Sequence, residues 1–350
     1  MAGRKPRAAW TDAETLKVLE LYYHHEMKQS DIGRLFHRTR QDVGRVIEDA
    51  KRQGLVKTII AAPMGSQDLL TLEQKLIKHY DCLEEVVLIP GHPTLLDEHP
   101  IESITEGIAL SIARAGARLV AQVITGDDTV VVGRGHMVKE LVNSLEVTHA
   151  LPGLQIVPMQ GVIRRQHDPL DANVIAADLQ RVTGGTYSWL PIPAIVKAEQ
   201  RETVRSLPIV SDTLKLMQRA TIVITSLGPI NEEKLSIFRD LGFPRRDMHR
   251  LAKTLGEHKL AGEIGGWLYR TDGSPVRGPA LNWYPIGFEL DGMCNIVERK
   301  RGRVICVVGA DRKRFNAIHA ALCGSMINTL ITDHITAQYL LEGAKSQQDS

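Results

Sequence analysis

The sequence predicts an α/β protein in two parts: an N-terminal winged helix-turn-helix, then a larger doubly wound domain. Two short amphipathic runs, residues 29–36 and 40–50, are split by a break, and the second carries arginines off its apolar stripe. From Glu85 onward, short β-rich runs alternate with amphipathic stretches of helical length. The chain has 350 residues, of which 43% are hydrophobic, enough for two domains and a sizeable core.

Residues 1–9 form a basic arm with Arg4, Lys5 and Arg7, suited to tracking phosphates or simply solvated. Between Asp12 and His25, Leu16, Leu19, Leu21, Tyr22 and Tyr23 supply the apolar side of a first helix. Ile32, Leu35 and Phe36 then fall at i, i+3 and i+4, and Val43, Val46, Ile47 and Ala50 restart that stripe after His37–Thr39. Gly33 is small where two helices must approach closely, and His37 takes the turn position, a residue that enters left-handed backbone more easily than most. Thr39 reads as the N-cap of the second helix, whose first turn presents Arg40, Gln41 and Asp42. Arginine and glutamine there match guanine and adenine edges in a major groove. The candidate DNA contacts are Gln29, Ser30, Thr39, Arg40, Gln41, Asp42 and Arg45. The alternative is a helical hairpin that packs on something else. Gly54 ends that helix, and LVKTIIA reads as a strand, completing the helix, helix, helix, strand order of a winged helix-turn-helix.

Charge supports this division. The first 60 residues hold 12 Lys/Arg and 8 Asp/Glu, hence +4, which leaves −2 for the rest of a chain of net charge +2. Any nucleic-acid affinity is therefore local. The expected domains are 1–62, a linker at 63–70, and 71–345.

In the second domain the strand candidates are Val86–Ile89, Thr129–Val132, Gln155–Met159, Thr221–Thr225, Val304–Val308 and Thr329–Thr332. Helices fill the gaps, at Thr71–Tyr80, Ile104–Val123, Val138–Leu145, Asp171–Val182, Asp212–Arg219, Glu232–Leu241, Lys313–Leu322 and His334–Leu341. Such a sheet binds ligands at the carboxyl ends of its strands. Two strand-to-helix loops stand out. VVVGRGHM places Gly133 and Gly135 before a helix start, although Gly-x-Gly without a third glycine reads first as a tight turn. VVGADRKRF places Lys313 in the first helical turn, against the helix dipole; a bound phosphate would remove that conflict, or the lysine reaches water.

No Ser/His/Asp order, metal spacing or carboxylate pair stands out, so neither a catalytic residue nor a metal nor a cofactor is expected. The four cysteines show no CxxC pairing, which argues against a zinc site or disulfide scaffold. No apolar run reaches 18 residues and the N-terminus lacks a signal-type core, so a soluble cytoplasmic protein, not a membrane one, is expected.

The order of segments carries more than any single motif. LYYHHEMKQSDIGRLFHRTRQDVGRVIEDAKRQGLVK resembles the DNA-binding segment of the SorC family of sugar-responsive bacterial transcriptional regulators. VVGADRKRFNAIHAALCGSMINTLITDHITAQYLL is similar to that family's Gly-Gly-x-x-Lys, Ala-Ile-x-Ala-Ala-Leu, Leu-x-Thr-Asp and Thr-Ala run. LEQKLIKHYDCLEEVVLIPG, VVVGRGHM, DANVIAADLQ with LPIPAIV, VITSLGPI and GEIGGWLYRTDG support it in the same order, from about Leu16 to Leu341.

The resemblance implies an effector domain related in fold to sugar-phosphate isomerases, a double-stranded DNA operator as partner, and a homo-oligomer, a tetramer or dimer of dimers. It implies control of a carbohydrate or polyol catabolic operon by a phosphorylated sugar or polyol. By position, the effector site would take Gly133, Arg134, Gly135, His136, Asp171, Asn173, Gly228, Arg270 and Lys313, with Lys313 on the phosphate and Asp171 and Asn173 on hydroxyls. Three departures bear on the ligand. Where relatives carry Trp-Gly-x-Thr, this chain has Arg134-Gly135-His136-Met137, which loses a hydroxyl donor and gains two potential cations. Ala310 replaces the second glycine before Lys313. Arg270 replaces an aspartate, which favours a more anionic ligand or puts the residue outside the pocket. The alternative function is a sugar-phosphate isomerase-like enzyme with an accessory helical domain, which would need a positioned base that the loops do not single out.

Overall fold

The structure is a computed structural model, and it describes residues 10–23, 25, 27–53, 55–56, 66–162, 168–230, 259–276, 283–300 and 302–348. The chain divides into two compact units, Met1–Ile60 and Ala61–Ser350.

The first unit holds three helices, α1 (Asp12–Tyr23), α2 (Gln29–Leu35) and α3 (Arg40–Arg52). Its core is Val18, Leu19, Ile32, Val43, Val46, Ile47 and Ala50, the stripe that the periodicity picks out in α3. On α1 and α2 the stripe is narrower than expected: Leu16 and Leu35 are 59% and 60% exposed. A seven-residue helix has room for little more than one inward turn. The connection is tight, because a Cβ on Gly33 would lie 2.9 Å from the Arg38 carbonyl oxygen. His37 occupies the left-handed turn position at φ +53°. Thr39 caps α3 through a reciprocal pair: its hydroxyl accepts from Asp42 N at 3.2 Å, and its own N–H donates to Asp42 Oδ2 at 3.0 Å. The expected strand after α3, Gly54 and the basic arm at 1–9 lie outside the described residues, Leu55 and Val56 excepted.

The first described helix of the second unit is α4 (Ser66–His79), which starts five residues earlier than the sequence suggests and takes in five of the eight residues of the expected linker. There follow β1 (Glu85–Ile89), α5 (Glu102–Val123), β2 (Thr129–Val132), α6 (His136–Asn143), β3 (Gln155–Pro158), α7 (Ala172–Thr183), β4 (Thr186–Tyr187) and β5 (Ile195–Lys197). After two short helices come β6 (Ile222–Thr225), β7 (Gly228–Pro229), β8 (Leu260–Ile264), β9 (Trp267–Arg270), β10 (Trp283–Pro285), β11 (Arg303–Val307) and β12 (Thr329–Asp333). Helices Leu290–Glu298, Phe315–Cys323 and His334–Gln348 flank the last two sheet strands. The expected helix Glu232–Leu241 lies outside the described residues.

Seven strands form one parallel sheet in the order β1-β12-β11-β6-β2-β3-β4. Successive residues of a strand point to opposite faces. In β2, Val130 and Val132 join the core layer under α5, α6 and α7, while Val131 joins the layer with α4 and the three late helices. That two-sided burial is why these strands read as unbroken β-branched runs. The crossover from β2 leads to β3, whereas β6 lies on the other flank of β2, beside β11. The sequence of connections therefore switches direction between β2 and β6, and a crevice opens there at the carboxyl ends.

Candidate functional site

Among the described residues, two surfaces gather polar groups that the fold does not consume. The first is the outer side of α3. Arg40, Gln41 and Arg45 are exposed, and neither arginine has an ion-pair partner among the described residues. Three other cations of the unit are paired in place: Arg34 with Asp31 at 2.5 Å, Lys51 with Glu48 at 3.3 Å and Arg52 with Asp49 at 2.7 Å. Arg38 lies over the Trp10 ring, 5.0 Å from its centroid. Of the other expected contacts, Ser30 is exposed and Gln29 half-buried, its side chain beside Gly44 of α3. Thr39 and Asp42 are engaged with each other in the helix cap.

The second is a cavity of about 150 Å³ at the switch point between β2 and β6. Arg134, Gly135, His136 and Met137 of the β2–α6 connection line it, with Thr225, Ser226, Leu227 and Gly228 after β6, Glu263 and Gly265 from the β8–β9 hairpin, and Arg314 after β11. Each wall has a local cause. Gly133 lies against the end of β6, its N–H donating to Ile224 O at 2.8 Å, and a Cβ there would stand 3.1 Å from Thr225 Oγ1. Gly135 precedes α6 at φ +106°, with no atom of the described residues within 4 Å of where its Cβ would be and no side-chain cap on the helix. The first amides of α6 thus open toward this space.

The hairpin wall is pinned from behind. Gly228 of β7 pairs with Glu263 of β8, and Tyr269 of β9 is fully buried, its hydroxyl donating to Ala317 O at 3.1 Å. Burial pushes the Tyr269 phenol well above its usual pKa, so it stays a donor. Gly265 and Gly266 form the two-residue turn with φ of +60° and +86°, the left-handed pair that a tight hairpin needs. Gly266 N donates to Glu263 Oε2 at 2.9 Å, which aims the carboxylate.

The two arginines are held but not saturated. Arg134 Nη2 stands 3.6 Å from Asp168 Oδ2, and Arg314 Nε stands 3.7 Å from Asp311 Oδ2; both distances are too long for a hydrogen bond. Arg314 Nη1 donates to Leu227 O at 3.0 Å. Arg134 Nε, Arg314 Nε and Ser226 Oγ are buried atoms of the lining with no hydrogen-bond partner among the described residues. Gln160 Oε1, close behind Gly265, is a fourth. Buried polar atoms are normally paired, so this clustering marks the cavity as built for something else.

The structure brings Arg134, Gly135, His136 and Gly228 to the cavity with Gly133 behind them, and it places the remaining candidates elsewhere. Lys313 is exposed, in a short 3-10 turn Arg312–Arg314 before the α-helix rather than in that helix's first turn. Asp311 caps the turn, accepting from Lys313 N at 3.0 Å, so the helix end already has the anion that the dipole favours. Arg270 donates to Ser274 Oγ and Pro275 O within its own hairpin, outside the cavity lining. Asp171 and Asn173 are buried and bonded to the fold: Asp171 Oδ1 accepts from Asn173 N at 2.8 Å, and Asn173 Oδ1 accepts from Leu190 N at 2.9 Å. Sequence reasoning missed Arg314, Ser226 and Glu263, although all three lie inside segments it singled out, DRKRF, VITSLGPI and GEIGG.

A helix-turn-helix joined to an open parallel sheet with a polar switch-point cavity defines a two-unit architecture, one unit for reading a polymer surface and one for holding a small molecule. Residues 66–342 match the family described as "Putative sugar-binding domain". The chain belongs to it, as a member of the SorC family of sugar-binding transcriptional regulators. It is 24% identical over 332 residues to the deoxyribonucleoside regulator of Bacillus subtilis, covering 93% of this chain and 96% of that one. It is 23% identical over 326 residues to the transcriptional regulator LsrR of Klebsiella pneumoniae subsp. pneumoniae, covering 93% and 91%. The full-length sorbitol operon regulator SorC from Klebsiella pneumoniae superposes with a TM-score of 0.65 at 19% identity, covering 95% of this chain and all of that one. These relatives are regulators, not enzymes, and the isomerase alternative has no support among them.

Proposed function

We propose that this transcriptional regulator binds a double-stranded operator through α3 and responds to a phosphorylated sugar or polyol held in the switch-point cavity. The observation that carries the reading is the exposed side of α3, where Arg40 and Arg45 lack ion-pair partners among the described residues while Arg34, Lys51 and Arg52 have theirs. A free guanidinium keeps its forked donors for a base edge or a phosphate. One such helix reads only a few base pairs, so paired half-sites and a homo-oligomer, a tetramer or dimer of dimers, follow. The unit from 1 to 62 carries the DNA contacts, and 71–345 carries the effector site and the subunit interfaces. Ligand control arises by linkage: the effector shifts operator affinity by the ratio of its affinities for the two conformations. Among the described residues no helix is long and apolar enough to cross a membrane, in keeping with a regulator that works on DNA in the cytoplasm.

The test is a binding-site selection and footprint with wild type and Arg40→Ala. Operator affinity falls by roughly 1–3 kcal/mol and base preference relaxes at one position, with a steep salt dependence in both proteins. An Arg40→Ala, Arg45→Ala double variant that footprints like the parent removes the assignment of α3.

A further inference from the structure

We propose that Arg134 and Arg314 form a two-sided clamp for the phosphate of the effector, and that Arg314, not Lys313, is the cation from the β11 crossover that holds it. The proposal rests on reading the cavity as the effector site.

Both guanidiniums line the same small cavity, yet they come from different crossovers, one after β2 and one after β11. Each has a carboxylate nearby, 3.6 Å from Arg134 Nη2 and 3.7 Å from Arg314 Nε, close enough to orient the guanidinium but too far for a hydrogen bond. Each Nε is buried and has no hydrogen-bond partner among the described residues. A guanidinium offers two parallel N–H donors to a phosphate, whereas a lysine offers a point charge. Two forks from different crossovers therefore suit a tetrahedral dianion with several acceptor oxygens. The N-terminus of α6 opens into the same space past Gly135, which has no side chain to stand in the way.

The remaining lining has the opposite polarity. Glu263 is aimed by the Gly266 amide, and the Ser226 hydroxyl has no partner among the described residues. A carboxylate accepts from sugar hydroxyls and repels a phosphate, so the ligand has one orientation, with its anion at the arginines and its hydroxyls at Glu263. Lys313 is exposed in a turn capped by Asp311 and is not among the lining residues. An unphosphorylated sugar would leave both buried Nε groups unpaired, which predicts binding weaker by about a hundredfold or more.

The experiment is calorimetric titration of the full chain with inorganic phosphate, then with a panel of pentose and hexose phosphates and their unphosphorylated parents. Wild type, Arg134→Gln, Arg314→Gln and Lys313→Gln are compared. Wild type binds phosphate and at least one sugar phosphate; Arg134→Gln and Arg314→Gln each weaken both by about tenfold or more; Lys313→Gln stays within about twofold. Arg314→Lys, which keeps the charge and loses the fork, falls between and guards against a folding defect from the lost bond to Leu227 O; thermal denaturation of each variant identifies one directly. If Lys313→Gln loses phosphate and Arg314→Gln keeps it, the clamp is wrong and the anion sits at the turn. If wild type binds sugar phosphates and both arginine variants match it, the clamp falls while the effector reading stands. If wild type binds neither phosphate nor any sugar phosphate, both fall together.

Discussion

Asp333 at the end of β12 and Arg134 just past β2 both stand at the carboxyl edge of one sheet, in surroundings of opposite character. Asp333 is completely buried and accepts three hydrogen bonds, from Ala310 N at 2.9 Å, Thr336 N at 2.8 Å and Thr336 Oγ1 at 2.7 Å. Next to it, His334 Nδ1 accepts from Gly91 N at 2.7 Å. The backbone closes around this cluster so tightly that a Cβ on Gly309 would meet Asp333 Oδ2 at 2.6 Å, and Ala310 is held in the left-handed region at φ +57°. Only the Thr332 hydroxyl there has no partner among the described residues. At the switch point the balance is reversed: three polar atoms of the lining have no hydrogen-bond partner, and the Gly135 Cβ position no neighbour, among the described residues. One end of the sheet spends its polar groups on holding loops together; the other holds them in reserve. Motif residues alone do not distinguish these uses, since both clusters fall in segments that mark the family.

The largest effect expected from this contrast is on stability at Asp333. Asp333→Ala leaves three donors buried and unpaired, and each such loss costs about 1–3 kcal/mol, so urea denaturation gives a destabilisation of roughly 3 kcal/mol or more. A loss below about 1 kcal/mol would erase the distinction between the two ends.

A smaller effect concerns pH. Burial pushes the His334 imidazole below its ordinary value of 6.5, although Asp333 and a backbone contact pull the other way. The neutral ring is also what the Gly91 N–H requires, since Nδ1 must keep its lone pair. As pH falls through 6.5, the unfolded chain takes up a proton that the folded one resists, so stability drops toward acid. His334→Asn flattens that part of the pH–stability curve relative to wild type. Parallel curves between pH 7 and 5 would show that the ring protonates equally in both states.

The smallest effect is at Ser226. Its orphaned hydroxyl makes no bond that holds the fold, so Ser226→Ala destabilises by no more than about 0.5 kcal/mol and relieves the cost of a buried unpaired group. The same variant weakens sugar phosphate binding in titration. A clear destabilisation would reveal a partner for the hydroxyl and return Ser226 to the structural side of the comparison.

The six long sheet strands were legible because both faces of each are buried, which writes β-branched runs into the sequence. The two-residue strands β4 and β7 leave no periodicity to read, and they matter here because β7 registers Glu263. Leu35 read as core from spacing alone, yet a helix of seven residues turns it outward. The cavity was half legible. Its glycine loop is evident in the sequence, but the cation that lines the cavity after β11 is Arg314, one residue beyond the Lys313 that the resemblance implies. Spacing cannot show that Arg312–Arg314 forms a 3-10 turn, and at three residues per turn Lys313 and Arg314 point in directions an α-helix would not give them. Arg270 was similarly ambiguous until its hairpin closed on Ser274 and Pro275.

The pairing of β1 with β12 has a consequence for how this protein is made. Glu85 through Ile89 find their partners at Thr329 through Asp333, and among the described residues β1 has no other neighbour in the sheet. The ribosome therefore releases β1 and its flanking helix α4 long before the strand that shelters them exists. The N-terminal helices need only local contacts and can settle at once, while the sheet must wait until Thr329–Asp333 have emerged. During that interval the apolar side of α4 and one edge of the growing sheet stand open, the span of synthesis in which a chaperone has most to cover.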